Sequence, residues 1–558
     1  MKISIKILVS FLAIIVAGGA YILFFLYEDT QDPYVQACDY SVADEVIPKF
    51  AEVEVSFSHQ FNDAKSLPLM ATALIDVDGD GTDEIFVGGG NDQTDALFAF
   101  EQGKFTNIGN SMFRPKAKDD PSLGAVSADM NNDGLPDLVI CRNSGVYLYL
   151  NKGDSFVGNK LSIPLNERST PVSLSLGDIN RDGWLDMFVA AYIKVDKMEG
   201  QTIFNDPNYG ASSLLMQNNG DNSFTDITKA SGLDYVHNTF QGMLVDVDED
   251  GLLDLVVAHD TGEVRTYRNL NGTIFEMKEN PLTGKFAYPM GIAAGDYNND
   301  GRIDFFFSNT GSSVPEFMAR GDLQKEQVFV KDWILFRNDG DFNFFNAAVE
   351  TKLSDFEFSW GATFEDFNLD GLIDLSVAEN YINYPPHKAF KLPCRLLIQQ
   401  ENGRFAAVEE QAGVVNKNYA ITPLSSDFNG DGYPDLIYSN LDGPLKVFVS
   451  KGGDGKFLKV RMIKNATTLG AKIRVRNGGS VISDFLISGE GLCSDQSSTL
   501  TFGLGKNLQD SVIVEVTYPS GEQRQKNCIC QYHYLILVAA FIVRYCKKFI
   551  ANEFKLAL

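Results

Sequence analysis

One nine-residue pattern occurs seven times and constrains the chain more than any other feature. It reads Asp-x-(Asp/Asn)-x-Asp-Gly-x-x-(Asp/Glu), and three apolar or small residues follow it. The copies begin at Asp76, Asp129, Asp178, Asp246, Asp296, Asp366 and Asp427, between 49 residues (Asp129 to Asp178) and 70 residues (Asp296 to Asp366) apart. A period in this range signals a propeller or a solenoid, and it replaces any domain count made from the 558-residue length. A run of small residues precedes each copy, as in Gly124-Ala125-Val126-Ser127-Ala128 and Gly291-Ile292-Ala293-Ala294-Gly295. A strand such as Leu138-Val139-Ile140 follows, then a second strand, a polar turn and a phenylalanine that opens a further strand. Those phenylalanines are Phe105, Phe156, Phe224, Phe275, Phe344, Phe405 and Phe457. Four short strands per repeat make a propeller blade, and the small residues suit an innermost strand crowded against its neighbours. The expected class is all-β: a seven-bladed β-propeller over 45–458 and a small β domain over 459–525. The strand Phe50-Ala51-Glu52-Val53-Glu54-Val55 precedes the first loop, and is expected to pair into the blade that carries Asp427.

Oxygen-bearing side chains at positions 1, 3, 5 and 9, with a main-chain carbonyl at 7, are the donor set of a hard cation. The candidate ligands of the first loop are Asp76, Asp78, Asp80 and Glu84, and of the second Asp129, Asn131, Asp133 and Asp137. The third offers Asp178, Asn180, Asp182 and Asp186, and the fourth Asp246, Asp248, Asp250 and Asp254. Asp296, Asn298, Asp300 and Asp304 follow in the fifth, and Asp366, Asn368, Asp370 and Asp374 in the sixth. The seventh has Asp427, Asn429, Asp431 and Asp435. Calcium accepts six to eight oxygens at flexible geometry, whereas magnesium demands a stricter octahedron, so up to seven structural calcium ions are expected. Two loops hold four carboxylates and five hold three, 23 in all, and seven divalent ions would move the formal charge from −27 to about −13. An EF-hand would need a bidentate Glu at position 12. That position holds Val87, Ile140, Val189, Val257, Phe307, Val377 and Tyr438, which belong to strands.

With 47 basic against 74 acidic side chains, the chain lacks the clustered Lys and Arg of a nucleic-acid binder. Five scattered histidines, His59, His237, His259, His387 and His533, form no zinc or general-base motif, and no catalytic residue is assigned. Seven cysteines in 558 residues do not make a disulfide scaffold.

The N-terminus is of another kind. Lys2 and Lys6 precede an apolar run from Ile7 to Tyr27, and Glu28, Asp29 and Asp32 follow it. At roughly 1.5 Å per residue the run spans about 30 Å, the hydrocarbon thickness of a bilayer. Residues 1–30 are therefore expected to be a signal-anchor transmembrane helix with the rest of the chain outside. The alternative is a signal peptide cleaved after Ala17-Gly18-Gly19-Ala20, which would leave a secreted protein. Residues 526–558 form an unassigned tail, and Asn271-Gly272-Thr273 and Asn465-Ala466-Thr467 are glycosylation sequons.

The repeats resemble the FG-GAP/VCBS family of the integrin α-subunit propeller. Gly470-Ala471-Lys472-Ile473-Arg474-Val475, Phe502-Gly503-Leu504-Gly505 and Tyr518-Pro519-Ser520-Gly521 resemble the ASPIC/UnbV domain. A propeller followed by that domain is the arrangement of the cartilage acidic protein-like family, and the resemblance implies calcium-dependent extracellular interaction. The expected function is therefore adhesion or protein–protein interaction by a membrane-anchored, extracytoplasmic, calcium-binding protein that is not an enzyme. The alternatives are a carbohydrate-binding, lectin-like propeller and a polysaccharide-active enzyme. The cation loops lie on one face of the disc. The opposite face is expected to carry the long insertions, at about residues 191–212, 309–332 and 380–393. Tyr192, Tyr209, Arg320, Tyr381, Tyr384, His387 and Lys388 are its candidate contacts with an extracellular protein or glycan.

Overall fold

A computed structural model describes residues 42–529 apart from 62–64, 114–116, 118, 199–208, 312–322, 324, 355, 381–391 and 507–510. It also describes residue 19 and the strands Ile536–Val538 and Ile542–Arg544. The expected membrane anchor and most of the tail lie outside the described residues. Among the described residues, no helix is long and apolar enough to cross a membrane.

The chain is all-β, and seven four-stranded antiparallel units follow one another in sequence. Their first strands are Thr72–Ile75, Ser122–Ala128, Ser169–Gly177, Thr239–Val245, Ile292–Gly295, Ser359–Glu365 and Ala420–Ser426. All but one or two end residues of these strands are buried, and in the first six units each packs against the first strand of the next unit. The close approach explains their small side chains. A Cβ on Gly124 would stand 2.1 Å from the Val172 carbonyl oxygen, and one on Gly361 would stand 2.5 Å from Thr422 Oγ1. The expected phenylalanines open or lie within the fourth strands, in Lys104–Asn107, Phe156–Lys160, Phe224–Asp226, Phe275–Lys278, Phe344–Asn346 and Phe405–Ala407.

The seventh unit takes its fourth strand from the start of the chain. Phe50–Ser58 runs antiparallel to Pro444–Ser450, with Phe50 opposite Ser450 and Glu54 opposite Lys446. The same strand packs on Lys104–Asn107 of the first unit, and Phe428 meets Phe105 at 5.3 Å between ring centroids. The seventh unit therefore returns to the first, and the sheet edge there is covered.

Phe457 takes no part in the seventh unit. It lies in Lys456–Arg461, which pairs with Thr499–Gly505 in the C-terminal domain, so the boundary expected at 458 falls inside this strand. The second sheet of that domain has the order Ser480–Phe485, Lys472–Asn477, Ser511–Thr517, Gln523–Ile529. It runs past the expected end at 525, because Gln523–Ile529 completes the pairing of Ser511–Thr517.

The C-terminal domain also sends a buried segment, Ser488 to Ser497, in among the seven inner strands. Ser494–Asp495 pairs parallel with Thr72–Ala73 of the first unit. Ser127 N donates to Asp495 Oδ2 at 2.9 Å in the second, and Ser175 Oγ to the Ser488 carbonyl at 3.0 Å in the third. Gln241 of the fourth unit donates to the Gly489 carbonyl. Gly491 and Ile292 of the fifth exchange two main-chain bonds of 2.9 Å. Ser425 N of the seventh donates to Gln496 Oε1 at 3.1 Å.

Candidate metal centres

Each loop joins the first and second strands of its unit and folds by the same local rules. In the third loop, Asp178 Oδ1 accepts the Asp182 N–H at 3.0 Å and Oδ2 accepts the Gly183 N–H at 2.8 Å. Asn180 Oδ1 also accepts the Asp182 N–H at 3.0 Å, and Asp182 Oδ1 accepts the Trp184 N–H at 3.0 Å. The bond from the position-6 glycine to the position-1 carboxylate recurs in all seven loops. Those glycines have φ between +85° and +103°, which only glycine adopts without strain.

Position 4 is also left-handed in every loop, at Gly79, Asn132, Arg181, Glu249, Asn299, Leu369 and Gly430. No single residue type marks it, so the sequence pattern does not reveal it. Three of these residues bond a main-chain carbonyl of the following loop: Asn132 to Gly183 at 3.3 Å, Arg181 to Asp250 at 3.0 Å and Asn299 to Gly371 at 3.1 Å.

In loops two to seven the position-9 acids are the most buried of the set. Each accepts the main-chain N–H of position 2, at 2.8 to 3.3 Å across the seven loops. In loops two to seven the second oxygen accepts a main-chain N–H from the third strand, at Asn151, Asn218, Asn269, Asn338, Gln399 and Ser450. Four of these residues then donate their side-chain amide to the position-2 carbonyl of the preceding loop. The pairs are Asn151–Val77, Asn269–Ile179, Asn338–Val247 and Gln399–Tyr297, at 2.8 to 3.0 Å. Loop and inter-unit joint are thus one hydrogen-bonded system. The polar residue that ends each third strand was legible only as a turn residue.

Burial pushes the position-9 carboxyls upward: Glu84, Asp186, Asp254 and Asp435 to about 8 and Asp137 to about 7. Asp304 and Asp374 shift in the same direction for the same reason. Neighbouring loop carboxylates add to each shift, and a divalent cation would oppose both causes.

The donor set fits such an ion. The carboxylates of Asp76, Asp78 and Asp80 offer oxygens within 4.8 Å of one another, and so do those of Asp246, Asp248 and Asp254. In the fourth loop Asp246 Oδ2 holds the Gly251 N–H at 2.8 Å, whereas its buried Oδ1 has no hydrogen-bond partner. An all-oxygen set of this kind selects calcium-class over thiolate- or imidazole-seeking metals.

The C-terminal domain sits on these loops. Arg461 pairs with Asp76, Lys459 Nζ lies 2.5 Å from Asp427 Oδ2, and Lys472 Nζ lies 2.7 Å from Glu249 Oε1. Gly505 N donates to the Leu369 carbonyl at 3.0 Å, and Asp129 N to the Lys464 carbonyl at 2.8 Å.

Residues 76–140, 129–189 and 246–307 match the FG-GAP-like repeat, and residues 462–537 match the ASPIC and UnbV domain. This is an FG-GAP-repeat chain with an ASPIC/UnbV domain. It is similar to cartilage acidic protein 1 of Xenopus tropicalis, with 25% identity over 345 residues that cover 58% of this chain and 50% of the relative. It is also similar to cartilage acidic protein 1 of Homo sapiens, with 24% identity over 480 residues that cover 81% of this chain and 60% of the relative. The FG-GAP-repeat chain thus spans half to three fifths of the length of these relatives, and the family resemblance expected from its motifs holds. Among solved structures, YCF48 bound to D1 peptide overlaps with a TM-score of 0.39 and 10% identity, over 72% of this chain and 99% of the other. That overlap is too loose to bear on the fold or the function.

Two of the candidate contact residues are placed elsewhere than expected. Tyr192 and Tyr209 are each 7% exposed and belong to the core, and Tyr192 donates a hydrogen bond to Asp260. The Tyr192 ring packs on Phe240 of the fourth unit at 5.0 Å between centroids, and Arg168 stands over the Tyr209 ring at 5.9 Å. Arg320, Tyr381, Tyr384, His387 and Lys388 lie outside the described residues.

Proposed function

We propose that this FG-GAP-repeat chain is a calcium-stabilised, seven-bladed propeller, held outside the cytoplasm by its N-terminal anchor, that mediates adhesion or protein–protein interaction. The observation that carries the reading is the seating of the C-terminal domain on the cation loops, through Arg461, Lys459 and Lys472. With that face occupied from within the chain, the opposite face is the one left for a partner. Calcium then serves the fold and does not touch the ligand. The relatives named cartilage acidic protein 1 support the extracellular setting. An ion that binds only the folded state adds about 2.7 kcal/mol per site at a hundredfold excess over its Kd.

A pull-down of surface proteins and a glycan array, both run on the full chain with and without calcium, test the reading. Capture of a protein partner that survives alanine substitution on the loop face supports it. Saccharide binding alone would assign a lectin, and turnover of a bound polysaccharide an enzyme. Calorimetry that detects no calcium, with a thermal midpoint indifferent to chelator, would reduce the loops to ordinary turns.

A further inference from the structure

We infer, resting on the calcium reading above, that Lys459 of the C-terminal domain sets the calcium affinity of the seventh loop and makes it the weakest of the seven sites. Lys459 Nζ lies 2.5 Å from Asp427 Oδ2, the position-1 carboxylate oxygen that also accepts the Gly432 N–H at 2.8 Å. Only 11% of the lysine side chain and 3% of the aspartate's are exposed, so water and salt do little to screen the charge. The ammonium is also held in place. Lys459 sits opposite Thr501 in the middle of the paired strand Lys456–Arg461. Phe457, two residues earlier and on the same face of that strand, packs on the seventh loop. A Cβ on Gly432 would stand 1.8 Å from Phe457 Cζ, and Phe457 clusters with Tyr433 and Leu369.

Loops two to six differ. Among the described residues, no Lys or Arg pairs with their position-1 carboxylates. Where a base approaches one of these loops it reaches a later position: Lys152 on Asp133 at 3.5 Å, Arg268 on Asp248 at 2.8 Å and Arg302 on Asp300 at 3.6 Å. Those three bases are 33% to 45% exposed, and pairs so open to water are weak. Arg461 does pair with Asp76 in the first loop, but that loop has Asp78 at position 3 where the seventh has Asn429. A fourth carboxylate thus offsets the guanidinium, and the seventh loop has none to offset Lys459. The field of the same ammonium also reaches Asp431 at position 5. A divalent ion in the seventh loop therefore meets a fixed, nearly buried positive charge on one of only three carboxylates, and the repulsion opposes its binding.

Crystals of the full chain equilibrated at graded free calcium give an occupancy for each loop. The seventh loop is expected to fill last, at a calcium concentration at least about tenfold above the others. In Lys459→Met it should fill together with the rest, whereas Lys459→Arg, which keeps the charge, should still fill last. A seventh loop that fills alongside the others in the parent, or that Lys459→Met leaves as weak as before, overturns the role of Lys459 and leaves the calcium reading standing. Calcium in no loop overturns both. Native mass spectrometry gives a second reading, in which Lys459→Met should reach seven bound ions at lower calcium than the parent. If Lys459→Met fails to fold, the order of filling in the parent crystals decides.

Discussion

Lys464 Nζ lies 2.9 Å from Asp495 Oδ1, and the two side chains are 3% and 0% exposed. The pair ties the base of the C-terminal domain to the segment buried among the inner strands. Lys464 Nζ also donates to the Gln496 carbonyl at 2.7 Å, and Asp495 accepts the Gly489 and Ser127 N–H groups at 2.8 and 2.9 Å. Every strong acceptor of the pair is used, which is the condition under which a buried ion pair holds its place.

Lys464→Met should therefore destabilise the fold by about 3–5 kcal/mol, because it leaves Asp495 charged and unpaired in the interior. Adding Asp495→Asn should recover part of that loss, because the amide carries no charge and its oxygen still accepts one of the two N–H groups. Chemical denaturation of the parent and the two variants checks this, and a Lys464→Met loss below about 1 kcal/mol would show that the segment does not depend on the pair.

Asn269→Ala should cost about 2–4 kcal/mol although the residue touches no candidate ligand oxygen with its side chain. Its amide bonds the Ile179 and Leu253 carbonyls at 3.0 Å each, and its Oδ1 accepts the Gly272 N–H at 2.7 Å. Loss of these bonds strips a joint between the third and fourth units. If the cost is the same as for an exposed asparagine, the joints are held by apolar packing alone.

Two acids of the fourth loop should behave differently. Asp246→Asn should weaken calcium binding while leaving stability in chelator close to the parent's, since an amide oxygen still accepts the Gly251 N–H. Asp254→Ala should destabilise the fold even in chelator, by about 2–4 kcal/mol, because the Val247 and Asn269 N–H groups lose their acceptor. Thermal melts with calcium and with chelator separate the cases. Equal behaviour of both variants in chelator would refute the clamp role of position 9.

The seven loops were legible because Asp, Asn and Gly at fixed spacing have few structural meanings. The entry of Phe50–Ser58 into the last unit was legible because its phenylalanine-opened pattern had no earlier unit to join. The buried run Ser488–Ser497 was not, since its short polar residues read as an ordinary loop until seven strands are seen around it. Arg461 and Lys459 were equally silent. Alternation along a strand places a side chain on a face, but only the docked domain brings those charges to Asp76 and Asp427. The surface reading of Tyr192 and Tyr209 failed because an amphipathic ring next to a long insertion can as well be buried in the core, as where Tyr192 packs on Phe240 and bonds Asp260 of the next unit.

Acid should destabilise the fold through two histidines of the fourth unit. His237 and His259 meet edge to face at 4.6 Å between ring centroids. His259 bonds the Glu263 carbonyl and the Tyr235 hydroxyl at 3.0 Å each, and Arg265 stands over the Tyr235 ring at 4.5 Å. Burial pushes the His237 imidazole down to about 4, opposed by its bond to the Asn238 carbonyl and aided by Arg265. Burial drives His259 down as well, with further contributions from His237 and Arg265. In the unfolded chain both rings take up a proton near pH 6.5. The folded state binds fewer protons, so its stability is fully present above about pH 6.5 and is lost as the pH falls toward 4. The nearby Asp260 carboxyl, raised by burial to about 6, works in the opposite direction over the same range and makes the net slope smaller. The clean measurement is therefore a difference. In saturating calcium, His237→Gln should lose less stability than the parent between pH 6.5 and 4.5. Parallel stability curves across that range would mean that His237 titrates alike in the folded and unfolded chains.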